Sequence, residues 1–282
     1  MLHNQFTKAM NQLLPLKKIT GVNRRIVFVL FVFFQTILLR ADSLWVHHIG
    51  VGQGDATLIV AWQQRAFPLV GVDTTSILID AGNSSGKGNA VFTYVNDILG
   101  PIKHLNYIIT SHLHSDHIGG MPLVLQRLRE NTWKVDYIID RGSTALPLPD
   151  ICYGEGGPDE DNDPVEPVSL PHSGIYTAYQ AECNNAYYAG KRSNIAPGND
   201  LFRALGRGLS MSMMCVVANG CVLQQYNSPL YNCPANPNPD ENDFSFGFLL
   251  QFDGFKYFTA GDLGGGGHYL DLETPLIPYF RS

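Results

Sequence analysis

The chain has 282 residues, 45% hydrophobic and 16% charged, with 19 Lys+Arg against 25 Asp+Glu and a formal net charge of −6. That length and balance suit one large globular domain or two small ones. Six of the basic residues lie at or before Arg40 with no acid among them, so the remainder carries 13 Lys+Arg against 25 Asp+Glu, a formal −12. This sign excludes a non-specific polyanion binder.

Lys8, Lys17, Lys18, Arg24 and Arg25 precede an apolar run at 26–39, and Arg40 and the small Ala41 follow it. This is the layout of a secretory signal with a long basic region. As a helix the run would span about 21 Å, short of the roughly 30 Å hydrocarbon core. We therefore expect residues 1–41 to be a signal peptide, cleaved near Ala41, and residues 42–282 to form a secreted or periplasmic domain. An uncleaved tether that keeps the protein at the membrane is the alternative, and Met10 is an alternative start.

Residues 44–49 and 56–61 read as strands joined by Gly50-Val51-Gly52-Gln53-Gly54-Asp55, a probable opening hairpin. A third strand at 76–80 ends in Asp80-Ala81-Gly82, and a helix near 90–99 is terminated by Gly100-Pro101. The strand Tyr107-Ile108-Ile109-Thr110 runs into Ser111-His112-Leu113-His114-Ser115-Asp116-His117-Ile118-Gly119-Gly120, and a helix follows at about 122–130. Between about 146 and 200 the pattern changes to Gly, Pro and acids with little periodicity, an inserted loop that is either a solvated excursion or a wall over the site. Strands return at 210–218 and 246–252, and Asp253-Gly254 signals a hairpin into Phe255-Lys256-Tyr257-Phe258-Thr259. Strands joined by both hairpins and helices imply an α/β fold with mixed sheets.

Three imidazoles and a carboxylate within residues 112–117 are the donors that borderline divalent ions prefer, and crowding them is unfavourable unless a cation offsets their desolvation. His112 and His114, two apart, can converge on one ion. Asp116 and His117 diverge from that pair towards a second. Ions about 3.5–4 Å apart can lower the pKa of a shared water and stabilise charge on a phosphoryl or carbonyl oxygen. Asp262, at the end of a predicted strand and after Gly261, is the candidate bridging carboxylate. Asp80 is the candidate acceptor for the other N–H of a ligand histidine. The expected metal ligands are thus His112, His114, Asp116, His117 and Asp262, with Asp80 and Asp116 as catalytic candidates; the ions are two Zn²⁺, with Mn²⁺ as the alternative.

With Asp80 upstream and Gly261-Asp262 downstream, His112-x-His114-x-Asp116-His117 resembles the metallo-β-lactamase superfamily. Val51-Gly52-Gln53-Gly54-Asp55-Ala56, Ile77-Leu78-Ile79-Asp80-Ala81-Gly82 and His117-Ile118-Gly119-Gly120 are similar to the hydrolase domain of ComEC/Rec2-type competence proteins and their stand-alone secreted relatives. The resemblance implies an αββα sandwich with metals at one edge between the sheets and activity on phosphodiesters, with nucleic acid as substrate by that analogy alone. It places Asp55 near the metals as a loop-fixing residue.

The chain departs from the family in two places. The segment Glu241-Asn242-Asp243-Phe244-Ser245 lacks the third histidine expected for the first ion, so Asn242, Asp243 or a water would stand in. A final histidine several tens of residues after Asp262 is also missing, leaving only His268 or, in the insertion, His172. We accordingly expect a sandwich incomplete at its C-terminus, with one sheet short. His47, His48 and His104 are simplest as strand or loop residues. The five cysteines, Cys152, Cys183, Cys215, Cys221 and Cys233, lack zinc-finger spacing; they form up to two disulfides with one spare thiol, or are reduced. Three functions follow: a metal-dependent phosphodiesterase or nuclease-like enzyme, a metallo-hydrolase of lactones, thioesters or cyclic nucleotides, and a non-catalytic truncated module.

Overall fold

The computed structural model describes residues 42–64, 72–141, 174–205, 211–224, 231–232, 240–264 and 271–281. The expected signal at 1–41, most of the acidic insertion, His172, His268, Cys152 and Cys233 lie outside these residues. Ser43–Ser282 forms one compact unit. Among the described residues no helix is long and apolar enough to cross a membrane.

Six strands form the first sheet in sequential order: β1 (Ser43–His48), β2 (Thr57–Gln64), β3 (Val72–Ile79), β4 (His104–Ile109), β5 (Lys134–Ile139) and β6 (Arg192–Ser193). β1, β2 and β3 are antiparallel, whereas β3 to β6 are parallel. Helices α1 (Ser85–Leu99), α2 (Ser115–Ile118) and α3 (Met121–Glu130) make the crossovers, and α4 (Gly174–Cys183) precedes β6. The second sheet follows the short α5 (Leu201–Ala204) and contains β7 (Met211–Ala218), β8 (Cys221–Leu223), β9 (Tyr231–Asn232), β10 (Gly247–Phe252) and β11 (Phe255–Thr259), in the antiparallel order β11-β10-β7-β8-β9.

The strand sequences show why both sheets are covered on both faces. Leu58 and Val60 of β2 pack towards the helices with Leu78, Ile108 and Ile138, while Ile59 and Ala61 face the other way into a core shared with Met213, Cys215, Phe248 and Leu250 of the second sheet. A strand buried on both sides must be apolar at consecutive positions, hence Leu58-Ile59-Val60-Ala61 without polar alternation. The helical layer is built from stripes at helical spacing, Val91, Val95 and Leu99 in α1 and Met121, Val124, Leu125 and Leu128 in α3. On the far side, Leu272, Leu276 and Tyr279 pack against Met214, Val216, Val222 and Leu249. They flank or belong to α6 (Ile277–Arg281), which completes four layers in the order α, β, β, α.

Three findings differ from the sequence reading. Within the expected insertion, α4 buries Tyr176, Tyr179 and Cys183 in the helical core and β6 extends the first sheet, so residues 174–200 are structural rather than an excursion. The second sheet, expected to be short, has five strands, and its outer face is covered by residues 271–281. Cys183 and Cys215 are free and buried, which pushes the Cys183 thiol up to about 12, while Cys221 is disulfide-bonded. With two of five thiols free, the chain has room for one internal bridge rather than two. His47, His48 and His104 lie in strands, as expected, with His104 bonded to Asp136 at 2.8 Å.

Candidate metal centre

Sheet topology brings the chemistry to one edge. β3, β4 and β5 run parallel, so Asp80, Ser111 and Asp140 all follow strand C-terminal ends on the same side. β2 runs against β3 with Thr57 opposite Ile79, which places Asp55, two residues before Thr57, at that edge as well. In the second sheet Phe248 pairs with Thr259, so Glu241, ahead of β10, and Asp262, after β11, share the corresponding end. The backbone N–H of Phe246 donates to Ser111 O at 2.8 Å and ties the two edges together.

Among the described residues two sets of side chains converge closely enough to hold a cation, with ligand atoms within 4.8 Å of one another: His112, His114 and Asp262, and Asp55, His117 and Asp262. Asp262 belongs to both. Its Oδ1 lies 3.2 Å from His117 Nε2 and its Oδ2 lies 3.9 Å from His112 Nε2. His112 Nε2 is 3.1 Å from His114 Nδ1, so two imidazole nitrogens point at the same space.

Behind the imidazoles stands Asp80. Fully buried, it accepts the Ser111 backbone N–H at 2.7 Å, the Ser111 hydroxyl at 2.6 Å and His117 Nδ1 at 2.9 Å. Burial pushes the Asp80 carboxyl up, against the bonds from His117 and Ser111. Burial disfavours the charged form of His117, but the bond and charge of Asp80, with the charges of Asp262 and Asp116, outweigh it and push that imidazole up to about 9. The 2.9 Å contact between His117 Nδ1 and Asp80 turns the other ring nitrogen, Nε2, towards Asp262. Burial, aided by His117, His114 and Arg141, lowers the His112 imidazole to about 2, so the ring stays neutral and one of its nitrogens keeps a free electron pair.

Glycines allow the loops to approach. Gly261 has φ +50°, and a Cβ there would stand 2.6 Å from Ser111 Oγ and 2.8 Å from Ser111 Cβ. Gly54 has φ +83°, and a Cβ would meet Asp116 O at 1.7 Å, so only glycine lets the β1–β2 loop lie on α2 and deliver Asp55. The Asp55 carbonyl accepts the Gly82 N–H at 2.9 Å, which anchors that delivery to the end of β3.

The structure brings His112, His114, His117 and Asp262 together and puts Asp80 behind His117. Asp116, expected as a ligand, lies outside both convergent sets; its backbone is pressed against Gly54, and its charge reaches His117 from the side. Asp55, expected near the metals as a loop-fixing residue, instead offers a carboxylate oxygen to the set with His117 and Asp262. The hairpin register between β2 and β3 was the signal that could have found it. Asp243, a candidate stand-in ligand, is committed to the turn Glu241–Phe244, where it accepts the Asp240 N–H at 3.0 Å. Asn242 Oδ1, by contrast, is buried and accepts no hydrogen bond from a described residue.

A search of the curated proteins finds no match. Among solved structures, the chain is similar to MEM-A1, a subclass B3 metallo-beta-lactamase from a soil metagenome library, at 14% identity and TM-score 0.36, covering 83% of this chain and 71% of that one. A Cronobacter sakazakii metallo-beta-lactamase with a HARLDQ motif matches at 16% identity and TM-score 0.37, covering 84% and 69%. A long form RNase Z from yeast matches at 13% identity and TM-score 0.39, covering 79% of this chain and 30% of that one. The family model described as the metallo-beta-lactamase superfamily matches residues 49–175, a stretch that includes Asp55, Asp80 and the whole 112–117 cluster but not Asp262.

Proposed function

We propose that this protein is a hydrolase that uses two divalent ions, zinc or manganese, to cleave a phosphodiester. The observation that carries the reading is Asp262, whose two carboxylate oxygens face two different ligand sets. Imidazoles with carboxylates suit such ions, and Asn242 Oδ1, buried and without a hydrogen-bond partner among the described residues, would be one further oxygen donor for the first of them. His112, His114 and Asp262 would hold the first ion, and Asp55, His117 and Asp262 the second. When bound, such ions supply Lewis acidity and make water a nucleophile near neutral pH.

The chain's own residues orient and shield this site. Asp80 fixes the ring of His117 through Nδ1, and Ser111 holds Asp80 through both its amide and its hydroxyl. Asp116 and Asp55 add negative charge on the outer side of His117, which favours a bound cation. The preference for phosphodiesters rests on the resemblance to the competence-protein hydrolases, and a mature charge of −12 favours short substrates over long polyanions. The same charge supports a second reading in which the substrate is a lactone, thioester or cyclic nucleotide. Export is supported by the basic-then-apolar layout before Ala41 and by the disulfide at Cys221.

The test is hydrolysis of a bis-nitrophenyl phosphate and a nitrophenyl ester by zinc- or manganese-loaded protein and by His114→Ala. Phosphodiester turnover lost in His114→Ala supports the leading reading, and ester turnover alone supports a lactone or thioester substrate. A folded protein that binds no divalent ion, or a His114→Ala variant with full phosphodiesterase activity, contradicts both the metal and its assigned ligand.

A further inference from the structure

The amide between the two ligand histidines is held from outside the metal centre. The Leu113 N–H donates to Glu241 Oε1 at 2.8 Å, across a separation of 128 residues. The other Glu241 oxygen lies 2.6 Å from an Arg141 guanidinium nitrogen, with the two side chains only 11% and 6% exposed. Arg141 follows β5 of the first sheet, Glu241 opens the turn before β10 of the second, and the Arg141 guanidinium lies 4.7 Å over the ring of Phe244 in that same turn.

An isolated loop amide would be satisfied by water at little cost. Here it takes a buried carboxylate, whose desolvation is expensive unless a cation stands against it, and Arg141 is that cation. The charged acceptor makes a stronger bond than a neutral one, and it fixes the peptide whose rotation would swing His112 and His114 apart. His114 carries no capping bond of its own for α2 and has extended backbone, φ −67° and ψ 149°, so its direction depends on the residues before it.

We propose that Glu241, paired with Arg141, is a positioning residue that sets the spacing of His112 and His114 and thereby the affinity of the first ion. This rests on the two-ion reading above. Removal of an outer partner of metal ligands lowers affinity by about 10–100-fold. That loss is expected at the site of His112 and His114 and not at the site of Asp55 and His117.

The experiment titrates full-length wild type, Glu241→Gln and Glu241→Ala with zinc against a chromophoric chelator, resolving two dissociation constants, alongside a urea melt of each metal-free protein. The expected order for the weakened constant is wild type, then Glu241→Gln, which keeps an oxygen for the Leu113 N–H, then Glu241→Ala, with the other constant unmoved. Equal loss at both sites, or no loss in a folded variant, overturns the inference. If Glu241→Ala does not fold, Glu241→Gln decides alone: selective loss at one site supports the proposal, and none or equal loss overturns it. A wild type that binds no zinc removes the two-ion reading itself, a result distinct from the others.

Discussion

Asp80→Asn isolates the effect of one proton. Three bonds converge on the carboxylate: Ser111 N–H, Ser111 hydroxyl and His117 Nδ1. The amide oxygen of Asn keeps the first, and the Ser111 hydroxyl can turn to accept where it formerly donated. The third must invert, because the amide nitrogen is a donor and His117 Nδ1 would have to accept. The ring proton then moves to Nε2, the atom 3.2 Å from Asp262, and blocks the lone pair that an ion requires. Asp80 has φ +58°, a conformation asparagine tolerates, so the backbone is not strained by the change. The expected loss is about 10–100-fold in affinity for the second ion, or about 1.4–2.8 kcal/mol, with the first ion retained. Calorimetric zinc titration of both proteins measures it. An Asp80→Asn variant that binds two ions with wild-type constants would refute the tautomer argument.

Gly261→Ala puts a methyl group 2.6 Å from Ser111 Oγ at positive φ, so we expect about 1–3 kcal/mol lost in a urea melt together with weaker binding of both ions, because Asp262 serves both sets. Unchanged stability and stoichiometry would count against the close approach. Tyr179→Phe removes the 2.8 Å bond to Asp140, which also holds Arg192 at 2.7 Å; about 1.5–3 kcal/mol of stability should be lost, and a loss below about 0.5 kcal/mol would show that α4 is not anchored there. Asp136 is held below the usual carboxylate range because Lys134, His104 and Asn106 outweigh its burial. A folded pKa below the unfolded one means stability present above about pH 4 and lost as pH falls through the folded value. The difference in urea midpoint between wild type and Asp136→Asn should therefore be constant near neutrality and shrink in acid, and a difference independent of pH would contradict the assignment.

Most strands were legible because their burial on one or both faces dictates runs such as Leu58-Ile59-Val60-Ala61 and Ile77-Leu78-Ile79. β5 was not, since Lys134 and Asp136 interrupt its apolar pattern; the structure answers them with each other, at 2.7 Å, and with His104 and Asn106. α4 was hidden because its buried stripe is Tyr176, Tyr179 and Cys183 within a Gly- and Pro-rich stretch, and the tyrosines are admitted to the core only by their partners, Asp140 for Tyr179. The imidazole cluster was legible as local chemistry. Which carboxylate joins His117 was not, because Asp55 and Asp116 are equally acidic in sequence and only the β2–β3 register and the contact of Gly54 with Asp116 distinguish them. Glu241 and Arg141 are separated by too much chain for any local pattern to pair them.

One carboxylate, Asp262, faces both ligand sets, and the two-ion proposal stands on it. Anomalous diffraction at the zinc edge from crystals of the metal-loaded protein tests it most directly. Two peaks about 3.5–4 Å apart are expected, one against His112 and His114 and the other against Asp55 and His117, with Asp262 between them. A folded crystal with no peak at these residues, or with a single ion that leaves Asp262 untouched, would contradict it.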